Sequence, residues 1–188
     1  MIESEIIDGY INETSWRVNA NANTNRSFSG LQSHISGKVL ARDTIKKLGV
    51  IGKRHLDGMY YIHDLSGGVY SPYCSGNDLL NLLQKGLINT GGVSAKPAKH
   101  FSTALDQISN FIYLMTGEFQ GAQAFSNIDV LLAPYVYNDK LNYEQVKQEI
   151  QQLVWDLSFN TRPGFQSPFT TLTYGLRPSK YYKDMSPI

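Results

Sequence analysis

Only two segments of this chain carry the pattern of a β-strand, and that scarcity limits the folds open to it. Residues 59–63 (MYYIH) and 169–174 (FTTLTY) are rich in the β-branched and aromatic side chains that favour strands. The other regular segments have helical periodicity. Two strands do not make an independently stable sheet, which needs three or more. We therefore expect a helix-rich α/β chain that forms part of a larger fold.

Apolar residues recur at helical spacing through most of the chain. Gly49 stands where a helix C-cap belongs, and Pro134 is expected to end or kink the helix that contains it. Asn142 is a favourable N-cap for a strongly amphipathic helix. The helices expected on this basis cover residues 30–48, 53–56, 77–85, 97–117, 123–135 and 142–157.

The composition is that of a folded protein with little charge. Hydrophobic residues make up 41% of the 188 residues and charged residues 18%, which excludes a typical disordered chain. The net charge of +1 indicates neither a nucleic-acid nor a membrane partner. The N-terminus has no signal-like apolar segment, and no apolar run has the length of a membrane span. We expect a cytoplasmic protein in which residues 1–188 belong to one domain, as part of a larger fold.

Cys74 is the single cysteine, so the chain has no internal disulfide, and we expect no metal site. Glycines and prolines surround it at 67–76, which predicts a loop. A free cysteine is most often a small buried hydrophobe, and that alternative stays open. A thiolate nucleophile would need a cationic neighbour, which the local sequence does not offer. Donation of a hydrogen atom by a neutral thiol has no such requirement.

Three other groups of polar residues are candidates for a site. His63 and Asp64 follow the first expected strand, where they would either serve acid–base chemistry or pin the loop. The segment 162–171 is either a ligand-binding loop or a rigid turn, and Gln166, Ser167 and Thr170 are its hydrogen-bonding residues. Near an expected helix N-terminus, a basic group either binds phosphate or forms a solvated end. Its members are Lys96, Lys99 and His100.

Several segments, in order along the chain, resemble the anaerobic (class III) ribonucleoside triphosphate reductases, which are oxygen-sensitive glycyl radical enzymes. These segments are residues 16–25 with 29–31, 55–58 with 61–65, 73–79, 96–101 with 103–105, 121–127 and 161–169. Together they run through most of the chain.

The resemblance implies a ten-stranded α/β barrel with the active site inside and long dimerisation helices. It also implies that the 2′-hydroxyl of a ribonucleoside triphosphate is replaced by hydrogen. In this family a glycyl radical, generated by a radical SAM iron–sulfur activase, oxidises a cysteine on a central finger loop, and the resulting thiyl radical abstracts the 3′-hydrogen. A second cysteine, on an early strand, gives a hydrogen atom to the substrate. Formate or a thioredoxin-type system supplies the reducing equivalents.

Carried onto this sequence, the resemblance makes Cys74 the hydrogen-donating cysteine. It makes His63, Gln166, Ser167 and Thr170 substrate contacts, and Lys99 and Gln107 contacts to a dNTP or ATP effector. The finger-loop cysteine, the glycyl radical motif, the four-cysteine zinc site and the ATP-cone domain are not in this sequence. We therefore expect the homodimeric chain to be inactive alone and to need a companion chain that carries the missing groups. The alternatives are a non-catalytic nucleotide-sensing or dimerisation module and another glycyl radical enzyme, such as an acyl-lyase.

Overall fold

A computed structural model of the chain describes residues 2–12, 27–89, 91–162 and 166–175. The expected segment at 16–25 and the middle of the segment at 161–169 lie outside these residues. The chain divides into two compact units, which are described separately. Unit 1 comprises Met1–Tyr73, Gly117–Gln120 and Asn160–Ser167, and unit 2 comprises Cys74–Thr116, Gly121–Phe159 and Pro168–Ile188.

Unit 1 is helical, with α1 (Ile2–Asn12), α2 (Phe28–Lys47) and α3 (Val50–Leu56). Helix α2 begins at an N-cap, Ser27, whose hydroxyl oxygen accepts a hydrogen bond of 3.0 Å from the Gly30 N–H. After α2 the chain turns at Gly49, which has φ of 54°, a left-handed value that glycine adopts without steric cost. The predicted helix over 30–48 and the helix end at Gly49 are thus confirmed.

The strand predicted over 59–63 is wrong. Residues 59–70 form bends and turns, and the side chains of Met59 and Tyr61 are 69% and 77% exposed. The Ile62 N–H donates to His55 Nδ1 at 3.1 Å rather than to a neighbouring strand. Strand propensity reflects a half-buried position in a sheet. Met59 and Tyr61 are largely exposed instead of half-buried in a sheet.

Unit 2 contains a three-stranded sheet in the described part of the chain. Its strands are β1 (Ser75–Asn77), β2 (Gln123–Phe125) and β3 (Thr170–Leu172). All are parallel, in the order β1-β2-β3, and Ser75, Gln123 and Thr170 are aligned across the sheet. The strand predicted at 169–174 is confirmed as β3. The sequence patterns did not predict β1 or β2.

Parallel strands need crossover connections, and helices make them here. Helices α4 (Leu79–Lys85) and α5 (Phe101–Thr116) lie between β1 and β2 along the chain, and α6 (Ile128–Asn138) and α7 (Tyr143–Asp156) lie between β2 and β3. Helix α5 contacts α4, α6, α7 and β2. It is the centre of the core, and three of its side chains have no exposed surface: Ala104, Ile108 and Ile112.

The helix predicted over 123–135 is partly wrong. Its first residues form β2, where Gln123 and Phe125 are buried, and the helix begins only at Ile128. Pro134 does not end the helix, which continues to Asn138. The apolar side chains of Ile128 and Leu132 belong to the buried core, and this burial holds the helix together despite the missing proline N–H.

The helix predicted after Asn142 is confirmed, with a complete capping box. The Gln145 N–H donates to Asn142 Oδ1 at 3.0 Å, and the Asn142 N–H donates to Gln145 Oε1 at 2.9 Å. Among the described helices, none has both the length and the apolar character needed to cross a membrane.

Candidate active site

Cys74 immediately precedes β1, and its thiol is exposed. The Ala122 N–H donates a hydrogen bond of 3.2 Å to Cys74 Sγ, while the Ser75 N–H donates to the Ala122 carbonyl at 3.0 Å. Cys74 and Ala122 are therefore linked one position before β1 and β2 begin, through the sulfur rather than through a backbone carbonyl. The alternative of a buried core cysteine is excluded by its exposure.

Within the three strands, one face of the sheet carries only small side chains, while Phe169, one residue before β3, alternates onto the same face. Gly76, Ala124 and Thr171 lie side by side on it, and Gly76 and Thr171 are exposed. A Cβ atom at Gly76 would have nothing within 4 Å. Because side chains alternate along a strand, Cys74 belongs to the same face as Gly76. The thiol thus stands beside an open surface on which a ligand meets little steric hindrance.

The opposite face packs against the helices through Phe125 and Leu172. Thr170, which was predicted from the sequence, alternates onto this face, and its hydroxyl oxygen is buried without a hydrogen-bond partner among the described residues. The neighbouring Thr171 is on the Cys74 side of the sheet. Sequence reasoning missed Thr171, because a three-residue strand gives too short a pattern to assign its faces.

In unit 1, His63 is exposed and its Nδ1 contacts the carboxylate of Asp64. Its ring is edge-on to the ring of Tyr73, with centroids 5.2 Å apart. Asp64 has φ of 51°, an uncommon value for a residue other than glycine. The pair therefore fixes the loop, while the imidazole remains open to solvent.

Gln166 is held by Arg162, also in unit 1. The Arg162 N–H donates to the Gln166 carbonyl at 2.9 Å, and Arg162 Nη1 is 3.4 Å from Gln166 Oε1. A second guanidinium nitrogen of Arg162 donates to the Gln120 carbonyl. Ser167 is half-buried beside this turn. These contacts link Gln166 to Arg162 and Arg162 to Gln120 within unit 1.

In unit 2, the N-terminus of α5 is closed by a carboxylate from a distant part of the chain. Asp139 Oδ2 accepts a hydrogen bond of 2.7 Å from the Phe101 N–H, and Asp139 Oδ1 lies 2.9 Å from His100 Nδ1. The hydrogen bond from Phe101, and next the one from His100, hold the pKa of Asp139 below its ordinary value. No local pattern reveals this contact, because the partners are 38 and 39 residues apart in sequence.

The other two predicted residues of this region have different surroundings. Lys99 is exposed, as is Lys96. Gln107 is buried, and its Nε2 donates to the Lys96 carbonyl at 2.7 Å. The structure therefore brings Gln107 and the 96–99 segment together, with the amide fixing the backbone of that segment. Asp139 already occupies one N–H of this helix end, whereas the exposed Lys96 and Lys99 are available either to solvent or to a phosphate.

Within the described ranges no three His, Cys, Asp or Glu side chains are grouped to hold a metal ion. The described candidates thus separate into the Cys74 face and the α5 end in unit 2, and the His63 loop and the Gln166 turn in unit 1.

Comparison with known proteins gives a consistent result. Residues 20–188 match the family model described as anaerobic ribonucleoside-triphosphate reductase. The anaerobic ribonucleoside-triphosphate reductase of Enterobacteria phage T4 is 25% identical over 200 residues, which cover 93% of this chain and 33% of the phage protein.

Solved structures share the fold. The anaerobic ribonucleotide reductase from Thermotoga maritima in complex with dATP and CTP matches with a TM-score of 0.67 and 22% identity, over 78% of this chain and 28% of that one. Another anaerobic ribonucleotide reductase matches with a TM-score of 0.69 and 23% identity, over 92% of this chain and 29% of that one. The chain thus spans about a third of the length of the phage relative. By the family match over residues 20–188, it belongs to the anaerobic ribonucleoside-triphosphate reductase family.

Proposed function

We propose that this chain is the N-terminal portion of a reductase that converts ribonucleoside triphosphates to deoxyribonucleoside triphosphates. The observation that carries the proposal is the exposed Cys74 thiol beside the open face of a parallel sheet, in a chain of this family. A parallel sheet is ordinarily covered on both faces. We infer that the open face lines the interior of the ten-stranded barrel that the whole reductase forms.

Cys74 acts in this proposal as a hydrogen-atom donor. After the finger-loop thiyl radical has taken the 3′-hydrogen, the substrate loses its 2′-hydroxyl together with a proton as water. Cys74 then gives its thiol hydrogen atom to the 2′-carbon and becomes a thiyl radical. Formate returns a hydrogen atom to this radical, and its remaining electron, with a proton, reduces the oxidised 3′-position as formate becomes carbon dioxide; a thioredoxin-type dithiol would supply the same two electrons and become a disulfide. The finger-loop cysteine finally gives the 3′-hydrogen back. A neutral thiol suits this role, because hydrogen-atom transfer requires no thiolate. In the described part of the chain, the sulfur accepts a weak hydrogen bond from the Ala122 N–H.

Substrate contacts are proposed residue by residue, and each is argued only from the geometry of its own unit. His63 offers an exposed imidazole, and Ser167 offers a hydroxyl beside the Gln166 turn. Gln166 and Thr170 remain in the proposal as the residues that shape the turn and the start of β3. On the Cys74 face, the exposed Thr171 is better placed to meet a substrate hydroxyl than the buried Thr170 oxygen.

Effector binding is assigned to the region before α5. Gln107 fixes the backbone at Lys96, which holds the exposed Lys99 for a contact to the phosphates of a dNTP or ATP. We place this region at a homodimer interface. The Thermotoga maritima reductase was solved in complex with dATP and CTP, which supports nucleotide recognition in the family.

The remaining parts of the reaction are assigned to a companion chain in the cytoplasm. A glycyl radical, generated there by a radical SAM iron–sulfur activase, would supply the initial oxidation of the finger-loop cysteine. The zinc site also belongs to that chain. Catalysis depends on all reacting groups being held in one site, so the isolated chain is expected to be inactive.

Co-expression tests the proposal. The chain is produced with a companion carrying the rest of the family sequence, activated without oxygen, and assayed for deoxynucleotide formation from each ribonucleoside triphosphate. We expect activity in the complex and none in either chain alone. A radical-bearing complex that forms no deoxynucleotide would contradict the proposal. Tight nucleotide binding and dimerisation by the isolated chain, with no activity in the complex, would favour the non-catalytic module.

A further inference from the structure

We infer that Gln123 is a positioning residue for Cys74, acting through Asn77 and Ser75 to fix β1 against β2. The chemical role of Cys74 rests on the proposed function, but the positioning rests on contacts within unit 2 alone. Gln123 has no exposed surface. Burial of an amide in an apolar region is unfavourable unless the amide is hydrogen-bonded. A buried glutamine therefore needs a hydrogen-bonding partner, whereas an apolar residue at this position would not.

The side chains form a chain of hydrogen bonds across the two strands. Asn77 Nδ2 donates to Gln123 Oε1 at 3.1 Å, and the Ser75 hydroxyl donates to Asn77 Oδ1 at 3.2 Å. The chain begins on β2 and ends on the residue next to Cys74. It lies on the helix-facing side of the sheet, so it leaves the open face free for a ligand.

The backbone transmits this restraint to the sulfur. Ala122, which precedes Gln123, donates its N–H to Cys74 Sγ and accepts from the Ser75 N–H. The Gln123 N–H donates to the Phe169 carbonyl at 2.8 Å, which fixes the start of β2 against the segment that leads into β3. Gln123 therefore fixes the backbone group that holds the thiol.

Register is otherwise weakly specified here. The strands have three residues each, so the ladder contains few backbone hydrogen bonds. A slip of one residue would move Cys74 to the helix-facing side, because side chains alternate with a period of two. A buried polar pair that is satisfied only in one register opposes such a slip. The Nε2 of Gln123 has no partner among the described residues, so the amide is hydrogen-bonded through its Oε1, which accepts from Asn77.

Residue-resolved hydrogen exchange by NMR on the full 188-residue chain tests the inference. In Gln123→Met, which keeps the length but removes the acceptor, we expect the Ala122 and Ser75 amides to exchange about tenfold faster. The Ile108 amide, in the centre of α5, should keep its wild-type rate. A loss of general stability would instead accelerate all three amides together.

Gln107→Met is the matched control, since it also removes a buried amide from unit 2. The Gln107 amide bonds the Lys96 carbonyl and not the hydrogen-bonded side chains of Gln123, Asn77 and Ser75. It should leave the Ala122 and Ser75 rates unchanged relative to Ile108. Asn77→Ala is the second variant, for use where Gln123→Met does not fold, and it should give the same local acceleration. The inference is overturned if the folded variants leave Ala122 and Ser75 at wild-type rates, or if Gln107→Met accelerates them equally. Because exchange is measured without turnover, this result is independent of the co-expression assay.

Discussion

At the scale of single residues, the exposure of Cys74 has a direct consequence for its reactivity. Iodoacetamide should alkylate the native chain within about tenfold of the rate for the urea-unfolded chain, because the thiol needs no opening of the fold to be reached. A single mass shift reports the reaction, since the chain has no other cysteine. Protection of the native thiol by several orders of magnitude would show that it is buried.

Asp139 gives a prediction about pH. Its folded-state pKa is held below the ordinary value of 3.8 by the Phe101 N–H and then by His100. The carboxylate therefore stabilises the fold above pH 3.8, and this contribution is lost as pH falls through the folded-state pKa. In urea unfolding, Asp139→Ala should lower the midpoint at pH 7, and its difference from wild type should shrink steadily below pH 4.

A difference between the two proteins that stays constant from pH 7 to pH 3 would contradict this assignment of the Asp139 charge. Asp129→Ala serves as the control for removing a nearby carboxylate, because Asp129 accepts a hydrogen bond from the Gly175 N–H rather than from the N-terminus of α5. A loss at pH 7 as large as that of Asp139→Ala would show that the effect is not specific to the N-terminus of α5.

Single-residue chemistry was only partly predictable from sequence. Cys74 could be selected because it is the single cysteine and stands among turn-forming residues. The burial of the Thr170 oxygen and the capping of α5 by Asp139 could not be predicted, because both depend on contacts between residues that are far apart in sequence.

At the scale of elements, the N-terminus of α7 depends on its capping box. Asn142→Ala removes the acceptor for the Gln145 N–H and should lower the free energy of unfolding by about 1 kcal/mol. Gln148→Ala, at an exposed position of the same helix, should change it by less than about 0.5 kcal/mol. Equal effects of the two substitutions in urea titrations would show that the cap does not contribute.

The loop before Cys74 offers a comparison of two glycines with left-handed backbone. Gly68 has φ of 62°, and a Cβ there would collide with the hydroxyl of Thr44 in α2; Gly58 has φ of 73° and nothing within 4 Å. Alanine at either position strains the backbone by about 1 kcal/mol or more. Gly68→Ala should therefore lower the free energy of unfolding by about 1–2 kcal/mol more than Gly58→Ala. Urea titration checks this, and equal losses would mean that α2 does not constrain the loop.

The longest of the elements that the sequence predicted correctly have long periodic patterns, whereas the three-residue β3 was predicted from its β-branched and aromatic residues. Helices α2, α5 and α7 each present several turns of apolar spacing. Burial reinforces this pattern in α5 and α7, whereas the buried residues of α2 are Gly30, Gly37 and Thr44. Strands β1 and β2 have only three residues, too few for a pattern to be distinguished. The error at 59–63 has the opposite cause, since these residues have strand propensity but no partner strand among the described residues of unit 1.

At the scale of the whole molecule, unit 2 differs from an ordinary α/β domain, in which both faces of the parallel sheet are covered. Its helices bury one face, while Gly76 and Thr171 on the other face stay exposed. The phage relative is about three times as long as the matched region. We therefore attribute the open face to a site that the rest of the reductase completes, and the small side chains on it to the space a nucleotide needs.

The most direct test of this role compares wild type with Cys74→Ser in the anaerobically activated complex of this chain with its companion. Deoxynucleotide formation is measured in single turnovers, while EPR counts the glycyl radical in each complex. Ser102→Ala, exposed on α5, is the control. We predict the same radical yield in all three, wild-type turnover in the control, and at least about a thousandfold loss in Cys74→Ser. Full turnover by Cys74→Ser at equal radical yield would contradict the assignment of Cys74 as the hydrogen-atom donor.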